Sequence, residues 1–422
     1  MGSGLSGPAR PGRPATGSWG TGERTAYDVR RSTVPVRGGA GFRKVQQAMR
    51  KRSAGPVGAV RRTGPGDGGR ERGVVPAPAH GDWLTLGKDG RLSLYAPTDG
   101  GLLRWTETAV GGPAWSGPHF VPVQGLKDLT VVQGADTYVH FLGRRERERA
   151  DGGTGVDVVH AIQYQTGLAF TEWRSLGNPH RDPAQGRALG RPVGAVAADG
   201  TVHVLVPDAH GGLALRREAP NGKWRAWEDL SGTGIDTPPA TVSLAGGRVE
   251  VCAATASGAL LWRQAAPGGD FEGPRGLALR PVPGTVGALE TGPERATFFW
   301  ADAGTGGVGA WREGDWPVAL GGAPTGEPCA RLRTVVDGYD SVVLACRDRD
   351  GSAVLGVGGT ENEAAGFWWY ALGESCRGVP ALARDGHGRV VMALIGGDGT
   401  PKVARQEAGS GLTLTRWRSL ED

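Results

Sequence analysis

The side chains best placed to do chemistry in this 422-residue chain are its 14 tryptophans and the arginines beside them. Three tryptophans sit next to an arginine in similar local sequence: Arg104-Trp105 in Leu-Leu-Arg-Trp, Trp262-Arg263 in Leu-Leu-Trp-Arg, and Trp311-Arg312 in Gly-Ala-Trp-Arg. An indole takes the apolar C–H face of a sugar ring, and a guanidinium donates fixed hydrogen bonds to hydroxyls, so such a pair suits carbohydrate recognition. The same rings would also serve as packing between modules, and residue type leaves both readings open. Trp83, Trp224, Trp300 and Trp368 fall off any regular spacing, so one or more are candidates for exposed platforms, either for a ligand or for a protein partner.

Catalytic patterns are missing. The spacing G-x-G-x-x-G occurs at Gly2/Gly4/Gly7, Gly64/Gly66/Gly69 and Gly304/Gly306/Gly309, but a chain this rich in glycine yields about two such matches by chance, and none lies between a strand and a helix. There is no phosphate loop, no G-x-S-x-G elbow and no H-E-x-x-H helix. Cys252, Cys329, Cys346 and Cys376 form no C-x-x-C and have no histidine at zinc spacing. Neither metal nor cofactor is expected, and the chain reads as a binding protein and not an enzyme. Cys329 and Cys346 lie symmetrically about Asp337-Gly338, and Cys329 and Cys376 follow Gly-Glu-Pro and Gly-Glu-Ser, so either pair could bridge; buried free thiols are the preferred expectation.

The elements that would position these residues follow from 75 glycines and 29 prolines, which exclude long helical bundles. An aromatic recurs at Trp115, Trp173, Trp227, Phe271, Trp316, Trp369 and Trp417, mostly followed by Leu-Gly or its relatives, at intervals averaging about 50 residues. A glycine turn precedes an alternating run at Asp89-Gly90, Asp199-Gly200, Gly246-Gly247, Asp337-Gly338 and Asp385-Gly386, the signature of a two-residue hairpin turn. About ten residues later a second glycine turn leads into an apolar run. Each unit therefore holds four strands in meander order. A lone sheet of that kind has two apolar faces and must stack on its neighbours, which predicts an all-β, seven-bladed β-propeller over residues 79–421. The six recurring tryptophans are then inter-blade packing. Ring closure is expected either from face packing alone or from Gly73–Val75 adding an outer strand.

Residues 1–78 differ. They hold 15 Lys+Arg against 4 Asp+Glu, leaving 33 against 39 for the remainder, so the basic character belongs to the tail. Its composition predicts a flexible tail. Within it, Phe42, Val45 and Met49 mark one face of a short basic amphipathic helix over 41–53, suited to docking on a protein partner, an anionic surface or nucleic acid. Nucleic acid is not expected on the slightly acidic blades. No run is long and apolar enough to span a membrane, and no secretory h-region opens the sequence, so the expected compartment is cytoplasmic.

The combined grammar is Asp-Gly before an alternating strand, Gly-x-Leu-x-x-Trp, then Trp-x-x-Leu-Gly. It resembles the seven-bladed lectin propellers of the Photorhabdus luminescens lectin type, and is similar to tectonin and fucose-lectin propellers. The resemblance covers roughly residues 79–421 and implies glycan binding, to fucose or O-methylated sugars, in pockets between blades with aromatic side chains against the sugar. Three departures stand out: an insertion around Arg144–Gly155, Phe271 in place of a tryptophan, and Lys402-Val-Ala in the seventh unit.

Overall fold

In the computed structural model of the chain, residues 74–149 and 152–421 are described. The tail segment with Phe42, Val45 and Met49 lies outside them. The first repeat forms β1–β4 (Leu84–Leu86, Leu92–Thr98, Gly101–Glu107, Trp115–Pro122), and the second β5–β8 (Leu126–Gln133, Val139–Glu148, Thr154–Gln163, Arg174–Gly177). The third forms β9–β12 (Val193–Val196, Val202–Pro207, Leu213–Arg217, Glu228–Asp229), and the fourth β13–β16 (Ala240–Ser243, Val249–Thr255, Gly258–Gln264, Phe271–Leu277). The fifth forms β17–β20 (Gly287–Gly292, Arg295–Ala301, Val308–Arg312, Val318–Gly321). The sixth and seventh share β21–β27 (Ala330–Val336, Tyr339–Arg347, Ser352–Gly359, Trp368–Arg384, Val390–Gly396, Pro401–Arg405, Arg418–Ser419).

Every sheet is an antiparallel meander in chain order. The last contains seven strands because β24 is long enough to serve twice: Trp368–Ser375 pairs with β23, and Cys376–Arg384 pairs with β25. The described residues thus form five four-stranded sheets and one seven-stranded sheet in which the sixth and seventh repeats are continuous. The predicted two-residue turn is made at Asp337-Gly338, where both residues have positive φ (51° and 83°) and Val336 pairs with Tyr339. At Gly90, Gly200 and Gly247 the glycine instead closes a longer turn, donating its N–H three residues back to Gly87, Ala197 and Leu244. In the seventh repeat that role falls to Gly388 and not Gly386.

Second strands are buried on both faces; β14 and β25 are buried at every residue. The reason is the stacking. Among the described residues the apolar core divides into seven clusters, each joining neighbouring repeats: Tyr95 and Leu102 meet Val131 and Phe141, Leu142 and Val158 meet Val204 and Val206, and so on round to Val343 and Leu355 against Met392 and Leu394. The last cluster packs Leu92, Leu94 and Trp105 of the first repeat on Val391, Ala393 and Ile395 of the seventh, which closes the blades into a ring. No outer strand from Gly73–Val75 takes part among the described residues: Val75 gives one N–H to Gly399 O (3.2 Å) and tucks its side chain into that cluster. Closure rests on faces and on ion pairs, with Arg405 donating to Glu107 of the first repeat and to Asp385 Oδ2 (3.3 Å).

Of the four thiols, Cys252 and Cys376 are free and buried, as expected, whereas Cys329 and Cys346 are disulfide-bonded. The expectation of free thiols fails there because Ala330 pairs with Ala345 in the β21–β22 hairpin, which sets the two cysteines opposite each other with Cα atoms 4.5 Å apart.

Candidate functional site

Successive residues of a strand point to opposite faces, and in a propeller those faces belong to different neighbours. This separates each tryptophan from its adjacent arginine. Trp105 and Trp262 turn toward the preceding repeat and are buried to 0% and 1% exposure, so neither presents a face to a ligand. Trp262 Nε1 donates to Leu230 O (2.9 Å). Trp311 also turns back, stacking on Phe298 (6.0 Å, 27°) beneath the Arg275 guanidinium. The arginines turn forward. Arg263 donates to Glu250 Oε1 (2.6 Å) and pairs with Glu313 of the fifth repeat, and Arg312 pairs with Glu363 of the sixth. Arg104 reaches the second repeat, donating to Leu168 O (2.6 Å) with its guanidinium over Phe170 (5.8 Å).

Of the four tryptophans off the grid, Trp83 is buried in the core with its Nε1 donating to Val379 O (3.0 Å), and the other three differ. Trp300 is buried, its Nε1 on Asp302 Oδ2 (3.0 Å). Trp224 is half-buried against the second repeat, edge-on to His160. Trp368 is 65% exposed at the start of β24. Among the recurring tryptophans, Trp227 and Trp369 form a seam along the outer strands, donating to Leu176 O (3.0 Å) and Leu320 O (2.8 Å) of the preceding blades. Phe271 has no N–H to offer, and Trp262 of the same repeat supplies the bond instead.

Trp316 corrects the packing expectation. It is 88% exposed. In Trp173-Arg-Ser-Leu, Trp227-Glu-Asp-Leu and Trp369-Tyr-Ala-Leu the leucine follows by three residues, but in Trp316-Pro-Val-Ala-Leu320 it follows by four. One additional residue in a period-two element reverses the side on which the ring emerges.

That reversal completes a group at the seam between the fifth and sixth repeats. Arg312 closes β19 with its side chain 13% exposed; Nε donates to Asp315 Oδ2 (2.6 Å), Nη1 to Glu363 Oε2 (2.7 Å) and Nη2 to Glu361 O (3.3 Å). Burial opposes the charged guanidinium, but Glu363 and Asp315 outweigh it and hold the Arg312 pKa above its ordinary value. Glu363 enters on the short 3-10 turn Glu363–Ala365 and is itself 4% exposed. Its second oxygen, Oε1, is buried and accepts no hydrogen bond from the described residues. Trp311, Arg312, Asp315, Trp316 and Glu363 line one notch whose enclosed part is about 20 Å3, so a ligand would lie across it against the exposed Trp316. The chemistry on offer is two remaining guanidinium N–H donors and an open indole. Nothing in sequence spacing singled out Glu363; Trp316 was visible in its altered interval.

A second notch, of about 240 Å3, lies between the first two repeats and is lined by Arg91, Arg104, Ser116, His119 and Thr166. Arg104 Nε is buried there without an acceptor among the described residues. No cluster of three His, Cys, Asp or Glu side chains with metal-binding geometry occurs among the described residues, and none of their helices is long and apolar enough to cross a membrane.

No protein-family description and no curated protein matches the sequence. Solved structures do. The BP39L lectin of Burkholderia pseudomallei superposes with a TM-score of 0.58 at 16% identity, over 80% of this chain and 99% of the lectin. A polysaccharide lyase, an ulvan lyase bound to -[GlcA(1-4)Rha3S]-, superposes with a TM-score of 0.50 at 13% identity, over 79% of this chain and 93% of the lyase. At these identities the likeness is one of fold. The chain is a β-propeller.

Proposed function

We propose that this propeller binds glycans without turning them over, and that the notch between the fifth and sixth repeats is a sugar site of the Photorhabdus luminescens lectin, tectonin or fucose-lectin kind. The observation that carries the reading is the convergence of Arg312, Glu363 and Trp316. A pyranose stacked on Trp316 would accept from Arg312 through a hydroxyl oxygen, with Glu363 and Asp315 holding that guanidinium in place. The family resemblance makes fucose or an O-methylated sugar the first ligands to try. The likeness in fold to a lectin supports binding, and engagement of both Asp315 and Glu363 with Arg312 supports a positioning role for these carboxylates.

The test is titration of the full chain with methyl α-fucoside and O-methylated monosaccharides, followed by tryptophan fluorescence. Quenching is expected, with Trp316→Ala weakening binding at least about tenfold, equivalent to ~1.4 kcal/mol, and Glu363→Gln weakening it comparably. The recovered glycan should have unchanged mass. A glycan array silent at about 100 μM protein, or equal binding by Trp316→Ala, would refute the reading.

A further inference from the structure

The first strands of all seven blades surround a cavity of about 670 Å3 on the ring axis. That size falls within the range of sites for small organic molecules. Its wall is chiefly apolar, with Leu84, Val131, Val193, Val242 and Leu382 contributed by five different blades. The wall hydroxyls are largely spent on the scaffold: Thr130 Oγ1 donates to Pro192 O (2.7 Å) and Thr241 Oγ1 to Gly194 O (2.7 Å), each tying one inner strand to the next.

Polar character gathers where the chain enters these strands. Asp82 and Arg331 form a loose ion pair (3.6 Å), and Arg331 Nε also donates to Ala288 O (2.6 Å). His80 is held neutral in position, Nε2 donating to Leu129 O (3.2 Å) while Nδ1 accepts from the Asp82 N–H (3.3 Å). Asp128 is taken by Arg144, whose Nε donates to its Oδ2 (2.6 Å). Arg191 is the exception. It lines the cavity, half-buried, with its Nε buried and without an acceptor among the described residues. The nearest opposing charge, Asp128, is already bonded by Arg144, so an anion in the cavity would meet a guanidinium with free N–H donors.

We propose that the axial cavity binds an organic monocarboxylate, its carboxylate received by Arg191 and its apolar body held against the valine and leucine wall. Arg331 is paired with Asp82, which leaves Arg191 as the lining cation for one negative charge, and Asp82 and Glu290 on the same lining disfavour a dianion. The wall excludes a bare inorganic ion as the best occupant, because such an ion leaves the apolar surface uncovered. This site is separate from the seam at Arg312, and its occupancy does not depend on glycan binding.

The experiment is calorimetric titration of the full chain with hexanoate, with the uncharged hexanamide, and with sulfate. Saturable binding of one hexanoate per chain is expected, at least about tenfold tighter than hexanamide. Arg191→Gln should bring hexanoate down to the hexanamide level, Arg191→Lys should retain part of the preference, and Trp316→Ala should change neither. The proposal is overturned by equal binding of hexanoate and hexanamide, by full hexanoate affinity in Arg191→Gln, by sulfate competing as well as hexanoate, or by no saturation at ~10 mM. Should Arg191→Gln fail to fold by near-ultraviolet circular dichroism, the acid-against-amide comparison on the unaltered chain decides alone.

Discussion

At the scale of single residues, the molecule keeps several imidazoles away from water. His140 Nδ1 and His160 Nε2 lie 3.0 Å apart in stacked rings inside the second blade, and the arrangement needs at least one of them neutral. Burial lowers the His140 pKa to about 4; burial, then the charges of His140 and Arg174, lower that of His160 to about 3. His203 is likewise pushed down to about 4 by burial, where its ring meets the Gln264 amide (3.2 Å). Each ring holds a proton less tightly when folded than at its ordinary value of 6.5, so the unfolded chain binds more protons across the interval between. The stability these rings contribute is complete above pH 6.5 and drains away as pH falls toward 4, by at most about 1.4 kcal/mol per unit of depression. The midpoint of chemical denaturation should accordingly drop across that range, and His160→Gln, which keeps a hydrogen-bonding side chain but no titration, should flatten the dependence. An equally steep profile in the variant would remove the histidines as the cause.

At the scale of elements, the outer strands depend on close approach between backbones. Gly117 in β4 has φ 127°, and a Cβ there would stand 2.7 Å from Arg104 O; Gly273 in β16 repeats the arrangement with φ 122° and 2.7 Å to Leu261 O. Gly276, three residues further along β16, has open space around it. Gly117→Ala should cost on the order of 1–3 kcal/mol and Gly276→Ala less than about 0.5, measured by denaturant titration. Equal costs would show that β4 gives way freely. The blade grammar was legible because glycine turns and period-two runs are local rules, and they recur in seven copies. Strand alternation was legible too, and it separates Trp262 from Arg263 and Trp311 from Arg312 once the third strand is recognised. What no local rule carries is the arrival of Glu363 beside Arg312. It depends on a 3-10 turn in one blade resting against the outer strand of another, a contact between residues about fifty positions apart. The longer turns at Gly90, Gly200 and Gly247 were hidden for the opposite reason, since Asp-Gly and Gly-Gly suit both a two-residue turn and the end of a longer one.

At the scale of the whole molecule, the ring is closed by side chains. Arg405 is 11% exposed on its side chain and stands between Glu107 and Asp385, both fully buried. Arg405→Met removes the charge that, among the described residues, those two carboxylates share across the junction, leaves Arg389 on Asp385 alone, and should cost about 3–5 kcal/mol. Breaking the exposed Arg333–Asp340 pair with Arg333→Met should cost under about 1 kcal/mol. Comparable losses from both would mean that closure rests on apolar packing alone. Because the first sheet and the β21–β27 sheet are each built from consecutive strands, no described segment from one end of the chain is woven into the sheet at the other. The break in the polypeptide is therefore an arbitrary cut in a circle of near-equivalent joints. Gene rearrangement could move the start of translation to another linker while keeping the same folded object.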